Sequence, residues 1–396
     1  MPDRDSTQSW WRWPWAHWAA GVLLGVVLIL SWTIYRGRVQ RDALEMIRRG
    51  GGRAFHAWEL RHGRYDPKHW LWQISIVDPD GQPPWPPWVV ALLGVDALTE
   101  VKMADIGPND PDGVMAYVGG LRSLEEVTFD EKSPLTDAGM VHLRGLTELK
   151  ILHLPKGTIT GKALANLRGL TRLQTLSIPS ISLESADLSP LRQLTKLEDL
   201  ILGSSQSAPC DLSDLRDLKQ LKLISLTKIV ISDLEPIRQL PHLLSLNLVD
   251  SELDDAGLAP LGEPGSLPEL SGLYLVNTRI SDAGLKTLRK LQRVAGLHLE
   301  GTPITDAGMD DLGAMTQMQS LSLARTGITD AGLAVLVGKL PGLKGLNLAS
   351  TQITDVGLKH LSRLRYPVEL NLTKTRVTDA GVAAFLKVHP FVRIIR

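Results

Sequence analysis

The last third of this chain is one unit returning at a near-constant interval. Leu270-Ser-Gly-Leu-Tyr-Leu-Val-Asn-Thr-Arg-Ile-Ser-Asp-Ala-Gly-Leu opens a block that recurs from Val294, Met318, Leu343 and Pro367, at intervals of 24, 24, 25 and 24 residues. A unit this short cannot cover its own apolar face, so it must stack on its neighbours, and the period dictates a solenoid. In the unit from Val294, Leu297 and Leu299 are two apart and share one face of a short strand. Thr305-Asp306-Ala307-Gly308 is a helix start: Thr305 can cap free N–H groups and Asp306 sits at the positive helix end. Met309 and Leu312 follow at helical spacing and face the strand. The expected class is α/β, a curved solenoid with a parallel sheet on its concave side and short helices on its convex side.

The same frame runs backwards. Units begin at Leu124, Leu149, Leu173, Leu197, Leu221 and Leu243, with a degenerate one at Leu98, and Phe391-Val-Arg-Ile394 supplies a last strand. Roughly twelve strands at ~4.8 Å give a sheet on the order of 55 Å long. In the middle the Thr-Asp-Ala-Gly tetrad gives way to Asp187-Leu-Ser-Pro-Leu191, Asp211-Leu-Ser-Asp-Leu215 and Asp233-Leu-Glu-Pro-Ile237. Proline disfavours a helix beyond its first turn, so 3₁₀-like convex segments are expected there. Gly262-Glu-Pro-Gly-Ser-Leu-Pro268 lengthens one unit as a surface loop.

The Ile-Thr-Asp-Ala-Gly-Leu blocks resemble the leucine-rich repeats of F-box proteins and of many bacterial proteins. The Asp-Leu-x-Pro-Leu units look like those of internalins. The usual Asn or Cys after the strand is replaced by Thr278, Thr302, Thr326, Thr351 and Thr375, whose hydroxyls can still bond nearby backbone. The resemblance covers residues 98–396 and is specific for fold. For function it implies only a displayed binding surface, because such repeats serve many unrelated partners. A membrane span, Val39-Gln-Arg-Asp-Ala-Leu-Glu-Met-Ile-Arg-Arg-Gly-Gly-Gly52 and a Trp-Pro-rich stretch before the repeats is similar to the layout of membrane-anchored bacterial repeat proteins.

Charge and tryptophan divide the chain. Residues 1–64 hold ten arginines, no lysine and five acids; subtraction from totals of 43 and 43 leaves 33 bases and 38 acids beyond. A mildly acidic solenoid argues against a nucleic-acid partner. All eleven tryptophans lie at or before Trp88, and Trp10, Trp11, Trp13, Trp15 and Trp18 crowd the edge of an uncharged run, Trp18 to Ile34. Trp32 and Tyr35 close its other edge. Aromatic residues at both rims of a ~17-residue apolar run indicate an uncleaved, single-pass membrane anchor, Trp18–Tyr35. Arg36, Arg38, Arg41, Arg48, Arg49 and Arg53 outnumber Arg4 and Arg12 across the span, which places the repeats on the cytoplasmic side. The single cysteine, Cys210, excludes an internal disulfide framework.

The expected partition is a tail (1–17), a transmembrane helix (18–35), a basic juxtamembrane segment (36–53), an N-terminal cap (54–97) and a repeat domain (98–396). In the juxtamembrane part, Val39–Arg49 is a helical candidate and Gly50–Gly52 a hinge. In the cap, Ala54–Leu60 and Leu71–Val77 read as strands and Trp88–Leu93 as a short helix, with Trp70, Trp72, Trp85 and Trp88 forming the cap's core.

Little in the chain points to catalysis. His56, His62 and His69 match no metal-ligand spacing. The recurrent Asp137, Asp255, Asp282, Asp306, Asp330, Asp355 and Asp379 are explained by helix-start chemistry without a cation. Neither a cofactor nor a convergent nucleophile–base set is expected. The displayed surface is the residue between the two strand leucines of each unit, from Thr128 to Asn371. Its candidate contact residues for a protein or peptide are His153, Asn247, Tyr274, His298, Ser322, Asn347 and Asn371. The expectation is a membrane-tethered, non-catalytic interaction scaffold; the alternative is an enzyme or accessory with a small-molecule or metal site in the Trp/His-rich segment 54–97.

Overall fold

The computed structural model describes residues 14–61, 76–77, 81–182, 188–364 and 369–396. The chain opens with one 36-residue helix, α1 (Pro14–Arg49). There follow β1 (Arg53–His56), a small antiparallel ladder of β2 (Leu60–Arg61) with β3 (Ile76–Val77), α2 (Pro87–Leu93) and α3 (Val95–Leu98). The strands of the solenoid are β4 (Val101–Ile106), β5 (Glu126–Phe129), β6 (Ile151–His153), β7 (Thr175–Ile181), β8 (Asp199–Pro209), β9 (Leu223–Val230), β10 (Ser245–Asn247), β11 (Gly272–Tyr274), β12 (Gly296–His298), β13 (Ser320–Ser322), β14 (Gly345–Asn347), β15 (Glu369–Asn371) and β16 (Arg393–Ile395). They lie in chain order in one fourteen-stranded sheet that β1 completes as its antiparallel first edge. Every later neighbour is parallel, with apolar residue opposite apolar residue: Leu273, Leu297, Leu321 and Leu346 are consecutive partners, and all are buried.

The helical side follows the sequence unit by unit. Asp-Ala-Gly segments start α5 (Asp137–Met140), α6 (Asp255–Leu258), α7 (Asp282–Leu288), α9 (Asp330–Lys339) and α11 (Asp379–Val388). In the middle, 3₁₀ turns replace them at Ser189–Gln193 and Ser213–Leu215. Each threonine after a strand hydrogen-bonds backward: the hydroxyls of Thr278, Thr302, Thr326, Thr351 and Thr375 donate to Leu275, Leu299, Leu323, Leu348 and Leu372 carbonyls at 2.6–2.8 Å.

The recurrent aspartate has a role beyond the helix-start chemistry assigned to it. Capping is done by its neighbour: the Thr305 hydroxyl accepts the Ala307 N–H, and the Thr329 hydroxyl that of Ala331. The aspartate reaches into the next unit, where Asp306 accepts both the N–H (2.8 Å) and the hydroxyl (2.5 Å) of Thr329. Asp282 does the same with Thr305, Asp330 with Thr354 and Asp355 with Thr378. Gly284, Gly308, Gly332, Gly357 and Gly381 make room for this latch: a Cβ on Gly332, for example, would overlap the Asp306 carboxylate. In the middle units Asp211 and Asp233 turn to their own segments, at the N–H groups of Ser213 and Glu235. Two charge-assisted bonds across a joint outweigh a dipole interaction of ~0.3–1 kcal/mol. Asp306→Ala is therefore expected to lower stability by about 1–3 kcal/mol in urea unfolding, and a loss no larger than at an exposed control site would deny the latch.

The N-terminal end departs from the expected partition. The apolar run and Val39–Arg49 form the single helix α1, with no break at residue 36. Gly37, Gln40, Ala43, Leu44, Ile47 and Gly50 are buried at intervals of three and four, so one face of the helix closes the first unit. Ala43, Leu44 and Ile47 belong to the same core as Val101, Ala104 and Val114. Gly50–Gly52 is a closed turn rather than a hinge: its three N–H groups bond Met46, Arg48 and Ile47 carbonyls, and Asn109 donates to Gly50 O at 3.1 Å. A Cβ on Gly52 would overlap the Asp105 carbonyl. The strand expected over Ala54–Leu60 breaks after His56, where the His56 N–H turns to the Glu59 carboxylate at 2.6 Å. Trp85 and Trp88 are not core: they are 45% and 70% exposed, and among the described residues α2 buries none of its side chains. Trp70, Trp72, His62, His69 and Leu71–Ser75 lie outside the described residues.

Candidate functional site

Parallel pairing carries one position straight across the sheet. His153, Ser177, Ile201, Ser225, Asn247, Tyr274, His298, Ser322, Asn347 and Asn371 are successive register partners. The column predicted from the leucine spacing is thus continuous from His153 to Asn371, but its members differ in what they offer.

Tyr274, His298 and Ser322 are neighbours on β11, β12 and β13. The Tyr274 and His298 rings stack, with centroids 4.5 Å apart and planes 13° from parallel. Beside them the backbone is nearly bare: Ser245, Gly272, Gly296, Ser320 and Gly345 are register partners two residues earlier on their strands. The result is an aromatic pair standing beside a trough of small residues.

A fourth member, Glu300, was not singled out from the sequence. It follows His298 by two residues, so the strand's alternation returns it to the same face. Its carboxylate lies 3.3 Å from His298 Nδ1. The signal was there to find: the equivalent positions in adjacent units are Val276, Ala324 and Ala349, which makes Glu300 the one acid in that stretch of the series. Burial works against its charge, but the hydrogen bond with His298 leads the opposing interactions, which hold the carboxyl below its ordinary range. Burial, with the Glu300 charge nearby, pushes the Tyr274 phenol up to about 12, so it stays neutral.

The other candidates do not join this cluster. His153 is on β6, five strand steps from Tyr274 in the sheet order, or ~24 Å. Burial lowers its pKa to about 4, which leaves a neutral imidazole at neutral pH. Asn247, Asn347 and Asn371 spend their side-chain carbonyls on the N–H groups of Val249, Ala349 and Thr373, at 3.0–3.1 Å. They shape the strand ends, and only their amide NH2 groups are left to offer a partner. Ser322, expected to be open, is 2% exposed. It is the register partner of His298, one strand over in the same column.

Elsewhere, the described residues hold no group of three or more His, Cys, Asp or Glu side chains placed to bind a metal ion. His56 is buried, with Nδ1 at 2.9 Å from the Thr99 hydroxyl and Nε2 at 3.5 Å from Asp96. An open depression on the helical side is lined by Cys210, Asp211, Arg216, Asp233 and Glu235. Burial, then the charges of Asp211 and Asp214, pushes the Cys210 thiol up to about 11, so it is no nucleophile. That depression, about 770 Å³, is lined by none of the stacked pair's residues; the chemistry of the sheet face makes the better site.

Comparison with known proteins agrees with this architecture. A leucine-rich-repeat sequence profile matches residues 239–262 and 342–362. The structure is similar to an internalin from Listeria monocytogenes, at 24% identity and a TM-score of 0.55, covering 70% of this chain and 82% of that one. It is also similar to a leucine-rich-repeat protein of Leptospira interrogans, at 17% identity and a TM-score of 0.51, covering 80% of this chain and 93% of that one. No curated protein matches the chain in sequence. The fold is a leucine-rich-repeat solenoid with internalin-like structural neighbours.

Proposed function

We propose that this chain is a membrane-tethered, non-catalytic scaffold that captures a protein or peptide on the sheet face of its solenoid, centred on Tyr274 and His298. Leucine-rich repeats in general serve protein–protein recognition, which sets the class of partner. The observation that carries the choice of centre is the stacked pair held by Glu300 above a trough of glycine and serine. A rigid aromatic pair beside small residues offers large contact area at little entropic cost, the usual profile of an interface anchor. The charged Glu300 beside it favours a partner that brings a basic or donor-rich group.

Tyr274→Ala is expected to weaken capture of a crosslinked partner at least tenfold while the unfolding midpoint stays nearly unchanged, since truncating a central aromatic anchor typically removes ~2 kcal/mol or more. A partner that binds this variant as tightly as the unaltered chain would remove this face from consideration.

The tether rests on α1. Its residues Trp18 to Tyr35 expose Val22, Leu23, Leu24, Leu28 and Ile29 at 60% or more, a face that water does not favour. The helix meets length and hydropathy criteria for a span, with none of its apolar window buried. The arginine excess after residue 35 supports a cytoplasmic solenoid. The full chain is expected to stay in the membrane pellet through carbonate washing, and a reporter active only outside the cytoplasm, fused after Arg396, to stay silent. Reporter activity would reverse the orientation, and recovery in the soluble fraction would end the tether.

A further inference from the structure

We infer that α2, with the tryptophans that flank its start, is a second membrane contact: a short helix lying in the headgroup zone of the leaflet from which α1 emerges. The inference rests on the reading of α1 as a membrane anchor and goes beyond it, because it concerns a separate segment of the chain.

Residues 81–95, Gly-Gln-Pro-Pro-Trp-Pro-Pro-Trp-Val-Val-Ala-Leu-Leu-Gly-Val, contain no charged side chain. Such a stretch in a folded protein belongs in a core, yet α2 buries none of its residues. Trp88 is 70% exposed and Leu92 73% exposed. Something outside the described residues must cover this face, or water must tolerate it.

The position of α2 names the cover. Gly94, at a φ of +81°, joins α2 directly to α3, and α3 is clamped to α1 just past the end of the apolar run. Gln40 Nε2 donates to the Asp96 and Thr99 carbonyls at 2.6 and 2.9 Å. Arg36 Nη2 donates to the Ala97 carbonyl at 3.1 Å. Gly37 lets α3 approach, since a Cβ there would stand 3.0 Å from the Ala97 Cβ. Ile34 and Gly37 are three residues apart, a rise of ~4.5 Å along the helix. The clamp therefore sits where a hydrocarbon span ends and headgroups begin.

Exposed aromatic residues stand on both segments that the clamp joins. Trp32 and Tyr35 stand exposed on α1, with the Arg36 guanidinium 5.0 Å above the Trp32 ring. Trp85 and Trp88 stand exposed at the start of α2. Tryptophan and tyrosine prefer this zone because their rings are apolar at one end and polar at the other. An apolar helix in the interfacial plane sinks ~5–10 Å into the headgroup and acyl boundary, a depth that suits Trp88 and Leu92.

Other covers fit less well. Seven residues of helix span ~10 Å, too little to supply the ~1,200 Å² or more that a stable protein interface buries. Pro83, Pro84, Pro86 and Pro87 have no N–H to pair with an extended peptide. A lipid surface asks for no backbone pairing, and a helix already held beside an anchor needs only modest apolar area to rest in it.

The test uses the full chain, with Cys210→Ala, reconstituted into phosphatidylcholine–phosphatidylglycerol vesicles. Single cysteines at Leu92→Cys and, independently, Trp88→Cys carry an environment-sensitive fluorophore, and lipids bearing doxyl groups near the headgroup serve as quenchers. Leu28→Cys reports on the span, and Phe391→Cys, at a position 96% exposed at the far end of the solenoid, on the aqueous baseline. The expected result is that labels at 88 and 92 lose most of their emission to shallow doxyl groups, while the label at 391 loses none. Quenching at 28 without quenching at 88 and 92 would overturn the contact and leave the anchor standing. An unquenched label at 28 would overturn the anchor and this inference together. Self-quenching between labels at 92 on different copies, with no response to doxyl lipid, would assign α2 to a second copy and overturn the inference.

Discussion

Leu297→Ala is expected to lower the unfolding free energy by about 2–5 kcal/mol, the range for emptying a fully enclosed leucine site. Leu297 is 0% exposed and pairs in register with Leu273 on one side and Leu321 on the other. The cavity would open at a joint between units, where stability is a sum of neighbour interfaces, so the loss cannot be absorbed within one repeat. Urea unfolding followed by circular dichroism measures it. Gln317→Ala, at an exposed position just before the next strand, is the control, with an expected change of less than ~0.5 kcal/mol. Equal effects would mean that Leu297 does not face the core.

Ile47→Ala is expected to cost a similar ~2–5 kcal/mol, although it lies in the helix that begins as an apolar, exposed rod. Ile47 is fully buried against the first unit, while Leu24 on the same helix is 60% exposed. Amide hydrogen exchange in detergent separates the two roles. Ile47→Ala should speed exchange in β1, β4 and α4 (Pro111–Val118), which adjoin α1, and leave β14 and β15 protected. Leu24→Ala should change none of these. Unaltered exchange in β4 with Ile47→Ala would show that the helix does not close the stack.

How far each feature was legible depended on where its partner lay. The strand leucines and the threonines after them find their partners inside a 24-residue unit or at the same position in the next, so period and phase were enough. The aspartates were understood only halfway. Their position at a helix start is local, but their hydrogen-bond partner is a threonine one unit further on, and reading a unit by itself stops short of it. The continuity of α1 was hidden by Arg36, Arg38 and Arg41, which end the apolar run without ending the helix. The spacing of Gln40, Ala43, Leu44 and Ile47 carried the missing signal, a buried stripe at helical intervals. Trp85 and Trp88 misled in the opposite sense, because tryptophan reads as core unless the surrounding fold withholds cover. In the site, Tyr274 and His298 stood out by size, whereas Glu300 required following the strand's alternation one step past its second leucine.

The closed glycine turn and the α3 clamp leave no slack between the first helix and the sheet. Whatever grips residues 14–35 therefore grips the whole array, as a hand grips a crank. Seven strand steps separate β4 from β11 in the sheet order, an arm of ~34 Å at the strand spacing. A helix tilt of about 10° would carry the Tyr274 position through about 6 Å along such an arm. Load placed on the sheet face arrives at the helix as torque, through the glycine turn and the clamp that join them.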